Sequence, residues 1–142
     1  MPDVVFLYTG NDYSLVREVV CRKLIVATST IIPLPADIQV RFANLGSVYG
    51  HTRLEFRFRN RLSLHSALTI SEAPGVLVHE LIHLSQSHLG VLRTTNHGQY
   101  FWKDKQYDLA VTPYQNLPWE IDVQERHEKV MTEALAVALK LG

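Results

Sequence analysis

Two histidines and a glutamate at helical spacing are the residues best placed to do chemistry here. They lie in the pentad His79-Glu80-Leu81-Ile82-His83. Positions four apart on an α-helix sit one above the other, so a single divalent ion can bridge the two imidazoles. Glu80 directly follows the first of them. Its carboxylate reaches a water held by that ion without binding the ion itself, which suits a general base. Val76, Leu77, Val78, Leu81, Ile82 and Leu84 flank the polar residues with apolar ones, as a buried helix requires. Without a metal, each buried polar group lacking a partner would cost about 1–3 kcal/mol. A metal site is therefore preferred to a core helix with two satisfied histidines.

A catalytic zinc site has three protein ligands and leaves the fourth position to water. Two residues downstream can supply the third ligand. Glu120, in Leu117-Pro-Trp-Glu-Ile-Asp-Val123, falls in the first turn of a last helix, and the modest side chain of Val123 lets that helix pack on the pentad helix. His97, in Thr95-Asn-His-Gly-Gln-Tyr-Phe-Trp102, would give three imidazoles, but a histidine in a polar loop reads first as exposed. His127 is two turns beyond Glu120 on nearly the same face; it either supports a ligand or is simply partly buried. His88 lies too far along the pentad helix to be a ligand, and His51 and His65 have no partner pattern.

These residues need elements to hold them. Val4–Tyr8 reads as a strand or an anchoring extension, and Asn11 and Asp12 as caps of a helix over Asp12–Ala27 with Val16, Val19, Val20 and Leu24 on its apolar face. Cys21 on that helix reads as a small core hydrophobe. From Asp37 the period becomes two: Ile38, Val40 and Phe42, then Leu54, Phe56 and Phe58, then Leu62 and Leu64 predict three antiparallel strands, with Gly46 and Gly50 as turns. The arginines at 53, 57, 59 and 61 read as the solvated face of those strands. The pentad helix is expected over Glu72–His88 with Gly90 as its stop. Val91–Gly98 reads as a loop and Tyr100–Tyr107 as a hairpin turning at Asp104-Lys105. The last helix should start at Pro118 and run to Leu141. The expected class is α+β, one domain over residues 1–142.

Composition excludes several functions. Apolar residues make up 46% and charged residues 20%, with zero formal net charge, so nothing favours nucleic acid or an anionic membrane as partner. With Cys21 alone there is no internal disulfide and no Cys-x-x-Cys zinc site. The N-terminus has no signal-peptide pattern and no stretch is long enough to span a membrane, so the expected location is the cytoplasm.

The order of helix, small sheet, H-E-x-x-H helix and a following helix with a glutamate resembles a pared-down zincin metallopeptidase. It is closest to the gluzincin type, including the very small minigluzincins. That resemblance implies one Zn²⁺ held by His79, His83 and Glu120. The segment Leu117-Pro-Trp-Glu-Ile-Asp-Val123 is similar to the Pro-Trp-Glu-x-x-Ala helix start of small, often phage-encoded, predicted metallopeptidases, with Val123 in place of the alanine. A phage origin would make virion association an alternative location. Asn96-His97-Gly-Gln-Tyr-Phe101-Trp102 also resembles the loop histidine of SprT-like metalloproteases, which would make His97 the ligand. Those proteins usually carry a cysteine-containing or basic tail, and this sequence has neither.

The expected activity is hydrolysis of a peptide or protein substrate, with Glu80 as general base and Tyr114, Tyr107 or His97 as candidate donors to the oxyanion. The strand before the pentad helix, about Arg61–Leu68, would align the substrate by backbone hydrogen bonds. The competing expectation is a non-catalytic, zinc-stabilised structural or interaction protein, assembled into a larger complex and closed by His97 beside Glu120.

Overall fold

The alternating apolar residues of the N-terminal half build a four-stranded sheet backed by helices. The computed structural model describes residues 1–8, 14–53, 60–95 and 97–141. Strands β1 (Asp3–Tyr8), β2 (Asp37–Ala43), β3 (Gly50–Arg53) and β4 (Arg61–His65) are arranged β1-β2-β4-β3. Contrary to the antiparallel expectation, β1, β2 and β4 run parallel; only β3 is antiparallel, pairing with β4 from Gly50↔Leu64 to Arg53↔Arg61. Alternation reports which face of a strand is buried, not which way it runs. The expected strand around Leu54, Phe56 and Phe58 lies outside the described residues, as do Arg57 and Arg59. Gly50, read as a turn, instead begins edge strand β3. Arg61 hydrogen-bonds across the strands to Gln39 through its Nε at 3.0 Å.

Helix α1 (Leu15–Ser29) follows β1 and leads back to β2. Its cap is Ser14, whose Oγ accepts from Arg17 N at 3.2 Å; Asn11 and Asp12, the expected caps, lie outside the described residues. Arg17, Cys21, Leu24, Ile25 and Thr28 form the buried face, while Val16 and Val19 are exposed, so the inward stripe is rotated from the one expected. Cys21 is buried, and desolvation pushes its thiol up to about 11 against the pull of Arg17; it is an inert core side chain.

Helix α2 (Ala73–His88) carries the pentad and packs between α1, α3 (Pro118–Lys140) and strands β3 and β4. It ends where Gly90 adopts φ 75°. There Gly90 N donates to Ser87 O at 3.0 Å and Val91 N to Gln86 O at 3.1 Å, the Schellman pattern that satisfies the last carbonyls. The main core draws Ile38, Val40 and Phe42 of β2, Leu62 and Leu64 of β4, Leu77, Val78, Leu81 and Ile82 of α2, and Val123, Val130 and Ala134 of α3 into one cluster with α1.

A second, smaller sheet fills the connection from α2 to α3. Strand β5 (Leu92–Thr94) lies in the stretch expected to be a loop, and pairs with β6 (Tyr100–Trp102), which pairs with β7 (Lys105–Tyr107). The hairpin turns one residue earlier than expected, at Lys103 and Asp104, both with positive φ of 49° and 68°. Leu92, Leu117 and Trp119 form a satellite core here, covered by Tyr100, Trp102 and Tyr107. Pro118 opens α3, where its missing N–H costs nothing. No helix among the described residues is long and apolar enough to cross a membrane.

Candidate metal centre

His79 and His83 project from one face of α2, their rings 5.0 Å apart. The start of α3 brings Glu120 against them: Oε1 is 2.9 Å from His83 Nε2 and Oε2 is 3.6 Å from His79 Nε2. One ligand atom from each of the three residues lies within 4.8 Å of the others. The 2.9 and 3.6 Å separations bracket the roughly 3.4 Å between ligand atoms of a tetrahedral ion with bonds of about 2.1 Å. His83 and Glu120 side chains are 8% exposed, and His79 is 34% exposed on the open side. Two imidazoles and a carboxylate converging at the floor of a cleft fit a divalent ion that prefers nitrogen and oxygen ligands, zinc among them.

The position of Glu120 is set by its neighbours. Trp119 is buried, stacked on Tyr100 at 5.6 Å and edge-on to Tyr107 at 5.9 Å. The small sheet thus grips the residue next to Glu120. Val123, one turn on, packs into the main core. Farther along α3, His127 donates from Nε2 to the Gly75 carbonyl at 2.8 Å, which ties α3 to the first turn of α2. His127 therefore joins the two helices and, among the described residues, is outside the group of three donors.

Electrostatics reinforce the cluster. Burial alone would raise the Glu120 carboxyl, but hydrogen bonds with His79 and His83 outweigh it and hold the carboxyl well below the usual range. Burial alone would lower His83; the hydrogen bond and charge of Glu120, aided by Glu80 and Gln86, overcome this and raise it. Tyr114, on a 3₁₀ turn at Tyr114–Asn116, donates its hydroxyl to Glu120 Oε2 at 2.6 Å. Partial burial and that bond push its phenol up.

A cleft of about 630 Å³ opens over the donors, and His79, Glu80, His83, Glu120 and Tyr114 all line it. Its other walls are apolar, including Val48, Tyr49, Leu109 and Leu117. Gly50, the first residue of edge strand β3, and Val48 and Tyr49 before it form one bank. A Cβ at Gly50 would lie 2.7 Å from Val76 Cγ1 and 3.1 Å from Glu80 Cγ, so only glycine lets this strand touch the stem of Glu80. Strand β4, expected to align a substrate, is paired on both sides and has no free edge; among the described residues the unpaired edge beside the cleft is that of β3.

The other sequence candidates lie elsewhere. His97 is exposed, and among the described residues the group of potential ligands is His79, His83 and Glu120 without it. Tyr107 belongs to the satellite core. His88 is exposed, and His65 is occupied in its own loop, with Nε2 facing Gly46 O and Nδ1 accepting from Ala67 N. Gln86, which the sequence reading passed over, hydrogen-bonds His83 Nδ1 at 2.8 Å. Its place one turn after the second histidine was the available signal.

Comparison with known families, curated proteins and solved structures finds no family model, curated protein or solved structure that matches the chain.

Proposed function

We propose that the chain is a zinc-dependent peptidase of the small zincin kind, with His79, His83 and Glu120 as ligands and Glu80 as general base. The observation that carries this is the convergence of the three donors at the floor of a cleft that Glu80 also lines. Bound zinc supplies Lewis acidity, lowering the pKa of a water toward about 7 and polarising a carbonyl. Glu80 takes a proton from the attacking water and returns it to the departing amine. Tyr114 Oη, beside Glu120, donates to the developing oxyanion once released from that carboxylate. An extended peptide adds to the open edge of β3 through backbone hydrogen bonds, with its apolar side chains on the cleft walls.

The test is cleavage of a mixed peptide library by the zinc-loaded protein beside Glu80→Gln. Cleavage that is lost in Glu80→Gln, with zinc still bound, supports the reading. Equal cleavage by both proteins contradicts it. One observation favours a second reading, a zinc-stabilised binding protein without turnover: Val48, Tyr49, Leu109 and Tyr114 leave an exposed apolar rim around the cleft. Peptide retention without cleavage by the zinc-loaded wild type would select it.

A further inference from the structure

The side chain of Gln86 connects the two helices that carry the donors. It sits on α2, 2% exposed, one turn beyond His83. Oε1 is 2.8 Å from His83 Nδ1, while Nε2 is 2.9 Å from the Trp119 carbonyl oxygen and 2.9 Å from Asp122 Oδ2. Both partners of Nε2 accept and neither can donate. The amide nitrogen must therefore face them, because a flipped amide would set oxygen against oxygen at two contacts. That leaves Oε1 for His83. An amide oxygen carries no hydrogen, so the proton between them belongs to Nδ1 of the imidazole.

This has a consequence at the opposite ring nitrogen. A neutral imidazole beside a carboxylate, with no other partner, would place its proton on Nε2 and donate it to Glu120, 2.9 Å away. That tautomer has no lone pair to offer a metal there. Gln86 opposes it by rewarding a proton on Nδ1. The same amide grips the backbone of Trp119, the residue before Glu120, and so fixes α3 against α2. Asp122 is held for this task by Arg126, whose Nη2 donates to Oδ2 at 2.7 Å.

We propose that Gln86 is a positioning residue that selects the metal-ready tautomer of His83 and sets the register of α3 that brings Glu120 beside it. The assignment rests on the metal reading of the centre. It reaches further, into residues that touch neither metal nor substrate.

The test uses the full chain with two readouts. One is Zn²⁺ affinity measured by competition with a chromophoric chelator. The other is the ¹⁵N imidazole spectrum of the metal-free protein, recorded at a pH high enough for His83 to be neutral because the imidazolium carries both protons, which reports whether Nδ1 carries the proton. Gln86→Leu should weaken Zn²⁺ binding by about 10- to 100-fold and remove the Nδ1–H signal. Gln86→Met keeps the length of the side chain without its amide; it should weaken binding and lose the signal in the same way, and it keeps the proposal testable if Gln86→Leu does not fold. Either variant, folded and with unchanged affinity, would overturn the proposal. A wild type that binds no Zn²⁺, yet shows an Nδ1–H signal that Gln86→Leu loses, would remove the metal reading and leave the tautomer assignment standing.

Discussion

Glu120 Oε1 lies 2.9 Å from His83 Nε2, which sets the first turn of α3 against the middle of α2. The contact joins a carboxylate and an imidazole that are both nearly sealed from water, at the floor of an open cleft. Burying such a pair is a weak source of stability, because desolvation offsets much of the attraction. On the proposed reading its value lies in holding donors ready for an ion.

The pair makes stability depend on pH with a sign that metal reverses. The Glu120 carboxyl is held below its ordinary 4.5, so its contribution is present above that value and is lost as pH falls through the folded pKa. His83 is raised above its ordinary 6.5, so its contribution is full below that value and is lost as pH rises through the folded pKa. With chelator present, the contribution of this pair should therefore peak between 4.5 and 6.5. With zinc in excess, stability should instead keep rising above 6.5, since the imidazoles must shed protons to bind the ion. Thermal melts across this range, with and without zinc, check both signs.

Trp119→Ala should act at a distance from the chemistry. Removing a buried indole from the satellite core should cost about 3 kcal/mol and loosen the turn that presents Glu120. Denaturant unfolding reads the first effect and zinc affinity the second. A loss of stability without any loss of affinity would show that the small sheet does not position the ligand.

Gly50→Ala places a methyl group where Val76 and Glu80 already stand. The edge strand must move outward, at a cost of about 1–3 kcal/mol. Zinc content should be unchanged, because no ligand is touched. Turnover, where measurable, should fall through kcat as the strand and Glu80 separate.

Glu80→Gln keeps the size of the side chain but removes its basicity. The expected result is one zinc per chain as in wild type, with turnover reduced by at least about 100-fold. Metal analysis alongside a peptide assay separates the two effects.

The parts of this site legible in the sequence are those written in local periodicity. His79 and His83 share a helical face by spacing alone, and Pro118 and Val123 marked the helix that delivers Glu120. Non-local arrangements were not legible. The parallel run of β2 and β4 depends on how the chain returns, which alternation does not encode. Strand β5 is three residues long and carries one buried side chain, Leu92, too little pattern to distinguish it from a loop. The apolar face of α1 was misplaced because valines occur all round that helix, and only packing selected Cys21, Leu24 and Ile25 over Val16 and Val19. Gln86 and Gly50 were missed for a similar reason. A glutamine inside a helix and a glycine at the start of a strand acquire meaning only when Trp119, Asp122 and Glu80 are brought to them.

The most direct test of the central claim is zinc content by elemental analysis of the purified protein, with wild type beside Glu120→Ala and His97→Ala. The account predicts one zinc per chain in wild type and in His97→Ala, and none retained in Glu120→Ala. A wild type that takes up no zinc when it is supplied, or a Glu120→Ala protein that holds zinc as tightly as wild type, would contradict it.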